Sequence, residues 1–346
     1  NYFSVAAGVL FEADENNKKL LQYPAGKTST SYTLSDVTVN SIEPYAFYGA
    51  SNLSEIILSD SLVTIGEHAF DGCTSIKTVY IGASVKSIGT RAFYDCLSLE
   101  SIYVSLSNAY YYADQNGVLY KFARNENDEL ILGSDGSMSV DTLVCYPAAV
   151  QRNAYTVMGG VTTISSGAFA KNTHLIRVIL PSTLDKVRDE VFSGCANLAE
   201  IYFKGEVPTE FGDGVLDSTA KELIVYYIAD NATWVNGSLP KALKNCTIKA
   251  YNAIEELPNN ISFVNSYAIV IANSEGKTVT TSTVTANGVS ATYTNGMYVF
   301  GMPEGYDAKE GIKVSVVTPG YYTYENTLFL DEELHLSYIT IKKQST

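Results

Sequence analysis

The sequence is poor in the residues that most often carry chemistry. It has three histidines, one tryptophan and five cysteines in 346 residues. His68, His174 and His335 fall in three separate stretches, so a histidine-centred triad has no local support. No Gly-x-Ser-x-Gly elbow, His-Glu-x-x-His or phosphate-loop pattern occurs. No Cys-x-x-Cys pair occurs either, which removes the usual zinc frameworks. Charged residues make up only 17%, and Lys+Arg (23) are outnumbered by Asp+Glu (37), for a net charge of −14. A surface that tracks phosphates needs basic groups to release counterions, so nucleic acid is excluded as a partner, and so is an anionic membrane surface. No run approaches the roughly 20 apolar residues of a membrane-spanning helix. Asn1-Tyr-Phe-Ser-Val lacks the basic and apolar regions of a signal peptide and is compatible with a processed, secreted chain. Hydrophobic residues are abundant at 46%, and Tyr at 26 far exceeds Phe at 13. Tyrosine joins a large apolar body to a polar tip and suits half-exposed strands and contact surfaces.

The abundant residues are organised in a repeat. A segment beginning at Ile42 (Ile-Glu-Pro-Tyr-Ala-Phe) restarts at Ile65 (Ile-Gly-Glu-His-Ala-Phe) and at Ile88 (Ile-Gly-Thr-Arg-Ala-Phe), in steps of 23 residues. The same unit returns at Ile164, with Ala168-Phe169, and 23 residues on at Val187, with Val191-Phe192. Each of the five units ends in a short strand of the form L-x-x-I-x-I: Leu53 to Leu58, Ile76 to Ile81, Leu99 to Val104, Leu175 to Leu180 and Leu198 to Phe203. That core and period are those of leucine-rich repeats. One unit cannot bury its own apolar face, whereas stacked units can, so a parallel-strand solenoid is expected.

Between Val104 and Ile164 the period breaks. The interruption repeats the start of the chain: Gly8-Val-Leu-Phe matches Gly117-Val-Leu-Tyr, Leu21-Gln-Tyr-Pro-Ala matches Val144-Cys-Tyr-Pro-Ala, and Tyr32-Thr and Tyr155-Thr follow. Each copy reads as a hairpin leading into the next repeat. The second carries an acidic insertion, Asn125 to Asp141, which reads as a solvated tip.

The Ile-Gly-x-x-Ala-Phe-x-x-Cys-x-x-Leu-x-x-Ile-x-Ile units and the Gly-Val-Leu-Tyr…Tyr-Pro-Ala hairpins resemble the BspA-like branch of bacterial leucine-rich repeat proteins, over about residues 7–250. The resemblance implies an irregular last repeat from Lys221 through Trp234 to Cys246-Thr-Ile-Lys-Ala, acting as a cap. It also implies a non-enzymatic adhesion or contact protein, extracellular or on a bacterial cell surface and in some cases lipid-anchored. Past Tyr251 the texture changes to seven short β-branched and aromatic stretches between Ser262 and Ile341, with Asn287-Gly288 and Asn295-Gly296 as turns, which favours a β-sandwich. Their order resembles carboxypeptidase regulatory-like domains with a transthyretin-like sandwich, an accessory module. The expected fold is therefore mainly β. A solenoid over 1–252, with short helical or irregular convex segments, is followed by a sandwich over 253–346.

Candidate sites are few. Cys73, Cys96 and Cys195 occupy one slot, three residues after the repeat Phe, held elsewhere by Ala50 and Asn172, which points to packing and backbone hydrogen bonding. Cys145 and Cys246 lie in a hairpin strand and the cap. Asp128-Glu129 and Asp331-Glu332-Glu333 are acidic but lack calcium-loop spacing. No cofactor or metal is implied. Period-2 alternation turns positions three and five of each strand outward onto the concave sheet: Glu55, Thr78, Ser101, Arg177 and Glu200 at position three, and Ile57, Tyr80, Tyr103, Ile179 and Tyr202 at position five. Such a stripe with a polar border is how contact surfaces are built. It is equally what good strand formers stacking on one another produce. Three readings follow. One is protein binding centred on Tyr80, Tyr103 and Tyr202, another is extracellular glycan binding by tyrosine stacking, and a remote one is a hydrolase.

Overall fold

The computed structural model describes residues 3–12, 18–34, 39–133, 138–229, 231–237, 239–244, 246–251, 266–273, 279, 281–286, 289–294, 297–301, 312–328 and 336–341. The chain divides into two compact units, Asn1–Leu257 and Pro258–Thr346.

The first unit is built from rungs. Each rung contributes a short strand at the repeat Ile, a tight turn segment, and a longer strand at L-x-x-I-x-I. Rungs one to three place Val39–Ile42, Thr64–Ile65 and Ser87–Ile88 side by side in parallel, and likewise Glu55–Ile57, Thr78–Ile81 and Ser101–Val104. Rungs four to six do the same with Thr163–Ile164, Lys186–Val187 and Glu210–Phe211, and with Arg177–Leu180, Glu200–Phe203 and Ile224–Ile228. Registers are uniform: Val79 sits beside Ile56 and Ile102, and Ile201 beside Val178 and Val225. The 23-residue period therefore translates into equivalent apolar positions one strand spacing apart.

The sixth rung is an addition to the five legible in the sequence. Its short strand ends in Phe211, 24 residues after Val187, and Val215-Leu216 replaces Ala-Phe. One inserted residue and two substitutions hide it from a search for the exact period. The backbone nonetheless repeats: the residue three past the repeat position is left-handed in every rung, at Tyr45, His68, Arg91, Gly167, Glu190 and Gly214. A second left-handed residue follows four later, at Gly49, Gly72, Asp95, Lys171, Gly194 and Ser218.

These two inversions explain the turn segments. They aim alternate N–H groups at the next rung, so that Tyr45, Phe47 and Gly49 donate to Glu67, Ala69 and Asp71. His68, Phe70 and Gly72 donate in the same way to Thr90, Ala92 and Tyr94. The segments are thus the irregular of the two expected forms, short helical or irregular, and bond to the next rung wherever one follows in the stack. Gly89 is required for contact rather than conformation, since a Cβ there would sit 2.3 Å from the Glu67 nitrogen.

Both hairpins form as expected and enter the short-strand sheets. Val9–Glu12 pairs antiparallel with Lys18–Gln22, which joins rung one; Leu119–Phe122 pairs with Val140–Cys145, which joins rung four. The core runs between the two sheets of each block, the first made of rungs one to three and the second of rungs four to six. Phe47, Phe70 and Phe93 stack in one column, and Tyr146, Phe169 and Phe192 in another, at centroid spacings of 4.9–5.5 Å. The last rung is closed by Ala232–Asn236, whose Trp234 lies over Phe203 (4.9 Å) and Tyr227 (5.5 Å) and donates to the Gly205 carbonyl at 3.0 Å. This closure keeps the apolar end of the stack from water.

The second unit contains two four-stranded sheets. One orders Thr292–Thr294, Met297–Gly301, Ser266–Asn273 and Leu336–Ile341; the other orders Val289–Ser290, Thr283–Ala286, Ile312–Val317 and Tyr324–Leu328. Alternate residues of both sheets, among them Ile269, Ile271, Tyr298, Val284, Val314, Val316 and Ile339, form one buried cluster. The stretch read as a single strand from Val289 to Thr294 divides at Ala291 and serves both sheets. The Asn287-Gly288 and Asn295-Gly296 turns lie outside the described residues.

Candidate functional site

Position five of the long strands behaves differently in the two blocks. In the first, Ile57 and Tyr80 are each 39% exposed and Tyr103 is half-buried. Tyr80 and Tyr103 are register partners, and their rings stack at 5.1 Å with planes 16° apart. Burial, followed by the neighbouring Tyr103 and Glu55, raises the Tyr80 hydroxyl above its ordinary pKa. Glu55, Thr78 and Ser101 flank the stripe, all half-buried. Positions one and four point inward, with Leu53, Ile56, Ile76, Val79, Leu99 and Ile102 at 0–1% exposure, and at position six Leu58 and Ile81 are buried while Val104 is half-buried.

In the second block the expected outward stripe is closed over. Ile179 (1%) and Tyr202 (3%) are buried, which corrects their assignment to an accessible face. For Tyr202 the cause is local filling. Its ring stacks on Tyr226 of the sixth rung at 4.4 Å and 7°, and the Arg177 guanidinium lies 5.5 Å from its centroid on the other side. Arg177 is itself anchored by Glu200 on the adjacent strand. Ile179 is flanked in register by Thr156 and Tyr202. The accessible part of the ten-residue face is therefore Ile57, Tyr80 and Tyr103 with their polar neighbours. Tyr226 belongs to the same column and was missed with its rung.

The cysteine slot is a backbone-bonding position. The thiols of Cys73, Cys96 and Cys195 donate to the carbonyls of Phe47, Phe70 and Phe169, one rung back, at 3.0–3.1 Å. Asn172 reaches back in the same way to Ala148 and Val150 and also caps the N–H groups of His174 and Leu175. All five cysteines are free thiols. Burial pushes the Cys73 and Cys195 thiols up to about 12, far from a reactive thiolate.

Other polar candidates are occupied structurally. His68 bonds Asp71 through Nδ1 at 2.7 Å and stacks on Tyr45 at 4.9 Å. His174 is exposed, and His335 lies outside the described residues, as does Asp331-Glu332-Glu333. At the hairpin tip, Asp128 pairs with Arg124 and accepts from the Tyr110 hydroxyl at 2.8 Å, while Glu129 accepts from Asn125 at 2.7 Å. Among the described residues no group of three or more His, Cys, Asp or Glu is placed to hold a metal. No helix among them is long and apolar enough to cross a membrane.

One feature has no signal in the sequence. A cleft of about 220 Å³ opens where rung three meets the second block, between 87–94 on one side and 111, 121, 142, 144, 145 and 165–167 on the other. Its walls come from stretches far apart in the chain, before, within and after the interruption of the period.

The family model for the BspA type leucine rich repeat region matches in six copies, across residues 26–116 and 151–249. No curated protein matches the chain. Similar solved structures include a leucine-rich repeat protein of T. pallidum, TpLRR, at 22% identity, covering 70% of this chain and 89% of that one with a TM-score of 0.38. A leucine-rich cell surface protein of Faecalibacterium prausnitzii is 17% identical, covering 72% and 96%, with a TM-score of 0.30. The pneumococcal vaccine antigen PcpA is 13% identical, covering 72% and 98%, with a TM-score of 0.34.

Proposed function

The chain belongs to the BspA-type leucine-rich repeat family, and from that premise we propose that it is a non-enzymatic binding protein, secreted or displayed on a bacterial surface, that contacts an extracellular protein through the long-strand face of its first block. The observation that supports this is the exposed Ile57–Tyr80–Tyr103 stripe. An exposed aromatic pair, already stacked and bordered by Glu55, Thr78 and Ser101, offers apolar area at little further cost in side-chain freedom. Its stacked rings are ordered before any partner arrives. The two-sheet second unit, with one shared core, is read as a transthyretin-like β-sandwich that serves as an accessory to the repeats.

The test is a binding screen of the full chain, immobilised, against a panel of extracellular proteins and a glycan array. Saturable binding to a protein, competed by excess free chain, is the expected result. Binding confined to glycans would replace the proposal with a sugar-stacking role for the same tyrosines, and binding to neither would remove it.

A further inference from the structure

The cleft beside rung three is lined by cationic and small polar side chains with a few apolar ones. Arg91 and Lys121 are the only charged residues lining it, in a chain of net charge −14. Arg91 gives one terminal nitrogen to Glu190 at 3.2 Å, which leaves its Nε buried and without a partner. Lys121 forms no ion pair among the described residues.

Backbone donors add to this excess. In rung two, the N–H groups of His68 and Phe70 donate to Thr90 and Ala92 at 3.1 and 2.8 Å. Their counterparts one rung on are Arg91 and Phe93, which follow the same left-handed geometry (φ 55° at Arg91, 53° at His68). No further rung of the first block lies beyond them, and these two N–H groups find no backbone acceptor among the described residues. Two cationic side chains and two backbone donors thus border one space. Ile88, Phe93 and Val144 supply apolar lining. Ile88 and Phe93 are less completely buried than their counterparts Ile65 and Phe70, so this lining is open to the cleft.

Unpaired buried donors are costly and select a ligand that only accepts. We propose that this cleft binds a carboxylate carried on a short apolar group. The carboxylate takes hydrogen bonds from Arg91 Nε, Lys121 Nζ and the Arg91 and Phe93 N–H groups, and the apolar group rests against Ile88, Phe93 and Val144. Two sources offer this chemistry, a free short-chain acid and the C-terminal residue of a protein. The site is separate from the Tyr80–Tyr103 face and does not depend on its role.

The experiment is calorimetric or ligand-observed NMR titration of the full chain with N-acetyl-leucine, N-acetyl-leucinamide and valerate. Binding of N-acetyl-leucine without binding of its amide is expected. Equal binding of valerate assigns the site to free acids, and binding of N-acetyl-leucine alone assigns it to a chain terminus. Lys121→Gln and Arg91→Lys, the latter keeping a cation for Glu190 while removing Nε, should each weaken binding by about tenfold or more. Their thermal unfolding should stay close to that of the wild-type chain. Binding of the amide as tightly as the acid, binding of none of the three, or unchanged affinity in both variants would overturn the proposal.

Discussion

Tyr80 and Tyr103 are register partners on adjacent strands of the first block, their rings stacked 5.1 Å apart and open to solvent on one side. Tyr202, at the same repeat position in the second block, is 3% exposed because Tyr226 and Arg177 enclose it. One sequence position thus serves contact in one block and packing in the other. Tyr202→Ala is expected to lower stability by about 3 kcal/mol, the usual cost of removing a buried aromatic ring. Tyr80→Ala should cost less than about 1 kcal/mol. Urea unfolding of the two variants, read by tyrosine fluorescence or circular dichroism, separates them; equal losses would remove the distinction between the blocks.

The thiol ladder gives a second expectation. Cys73, Cys96 and Cys195 are buried, protonated and bonded to carbonyls of the preceding rung. Iodoacetamide at pH 8 should leave all three unmodified in the native chain and label them on unfolding. Cys73→Ala should cost about 1 kcal/mol, since Ala50 already occupies this slot in rung one. Prompt native labelling of Cys73 would contradict the packing role.

Alkaline pH should unfold the protein. Burial raises Cys73, Cys145 and Cys195 from a reference value of 9.0 to about 12, and Tyr111 from 10.0 to about 12. The unfolded chain therefore loses these protons first, and stability falls as pH rises. From these groups the contribution is constant up to about pH 9 and declines between the unfolded and folded values, its loss being complete near pH 12. Chemical denaturation midpoints measured from pH 7 to 11 test the sign; a midpoint that rises above pH 9 would reverse it.

The cap should stabilise the stack from its end. Trp234→Ala removes ring contacts with Phe203 and Tyr227 and the bond to Gly205. A loss of about 3–5 kcal/mol is expected. Hydrogen exchange should accelerate first in Ile224–Ile228 and Thr247–Tyr251, the strands nearest the cap. Exchange that accelerates equally in rungs one to three would show that the cap does not act locally.

The rungs are legible in the sequence because their buried residues repeat at fixed spacing, as Ile42, Ile65 and Ile88 do. The hairpins are legible because one copy predicts the other. The left-handed turn positions are not, because Tyr45, His68 and Glu190 occupy a conformation usually marked by glycine, held here by the next rung's carbonyls. Rung six is obscured by Phe211 and Leu216 in slots that elsewhere hold Ile or Val and Phe. The fate of Ile179 and Tyr202 depends on which side chains reach across the sheet face, and alternation along one strand carries no such information. The cleft needs two distant stretches to meet and has no local pattern.

The most direct test of the contact face compares the wild-type chain with the Tyr80→Ser/Tyr103→Ser double variant, against whichever extracellular protein the screen identifies. Both substitutions are on the open stripe, so the variant should keep its unfolding midpoint within about 1 kcal/mol of wild type. Its affinity for the protein should fall by about a hundredfold or more, as expected when central aromatic anchors are removed. Unchanged affinity in a folded double variant would contradict the assignment of this face.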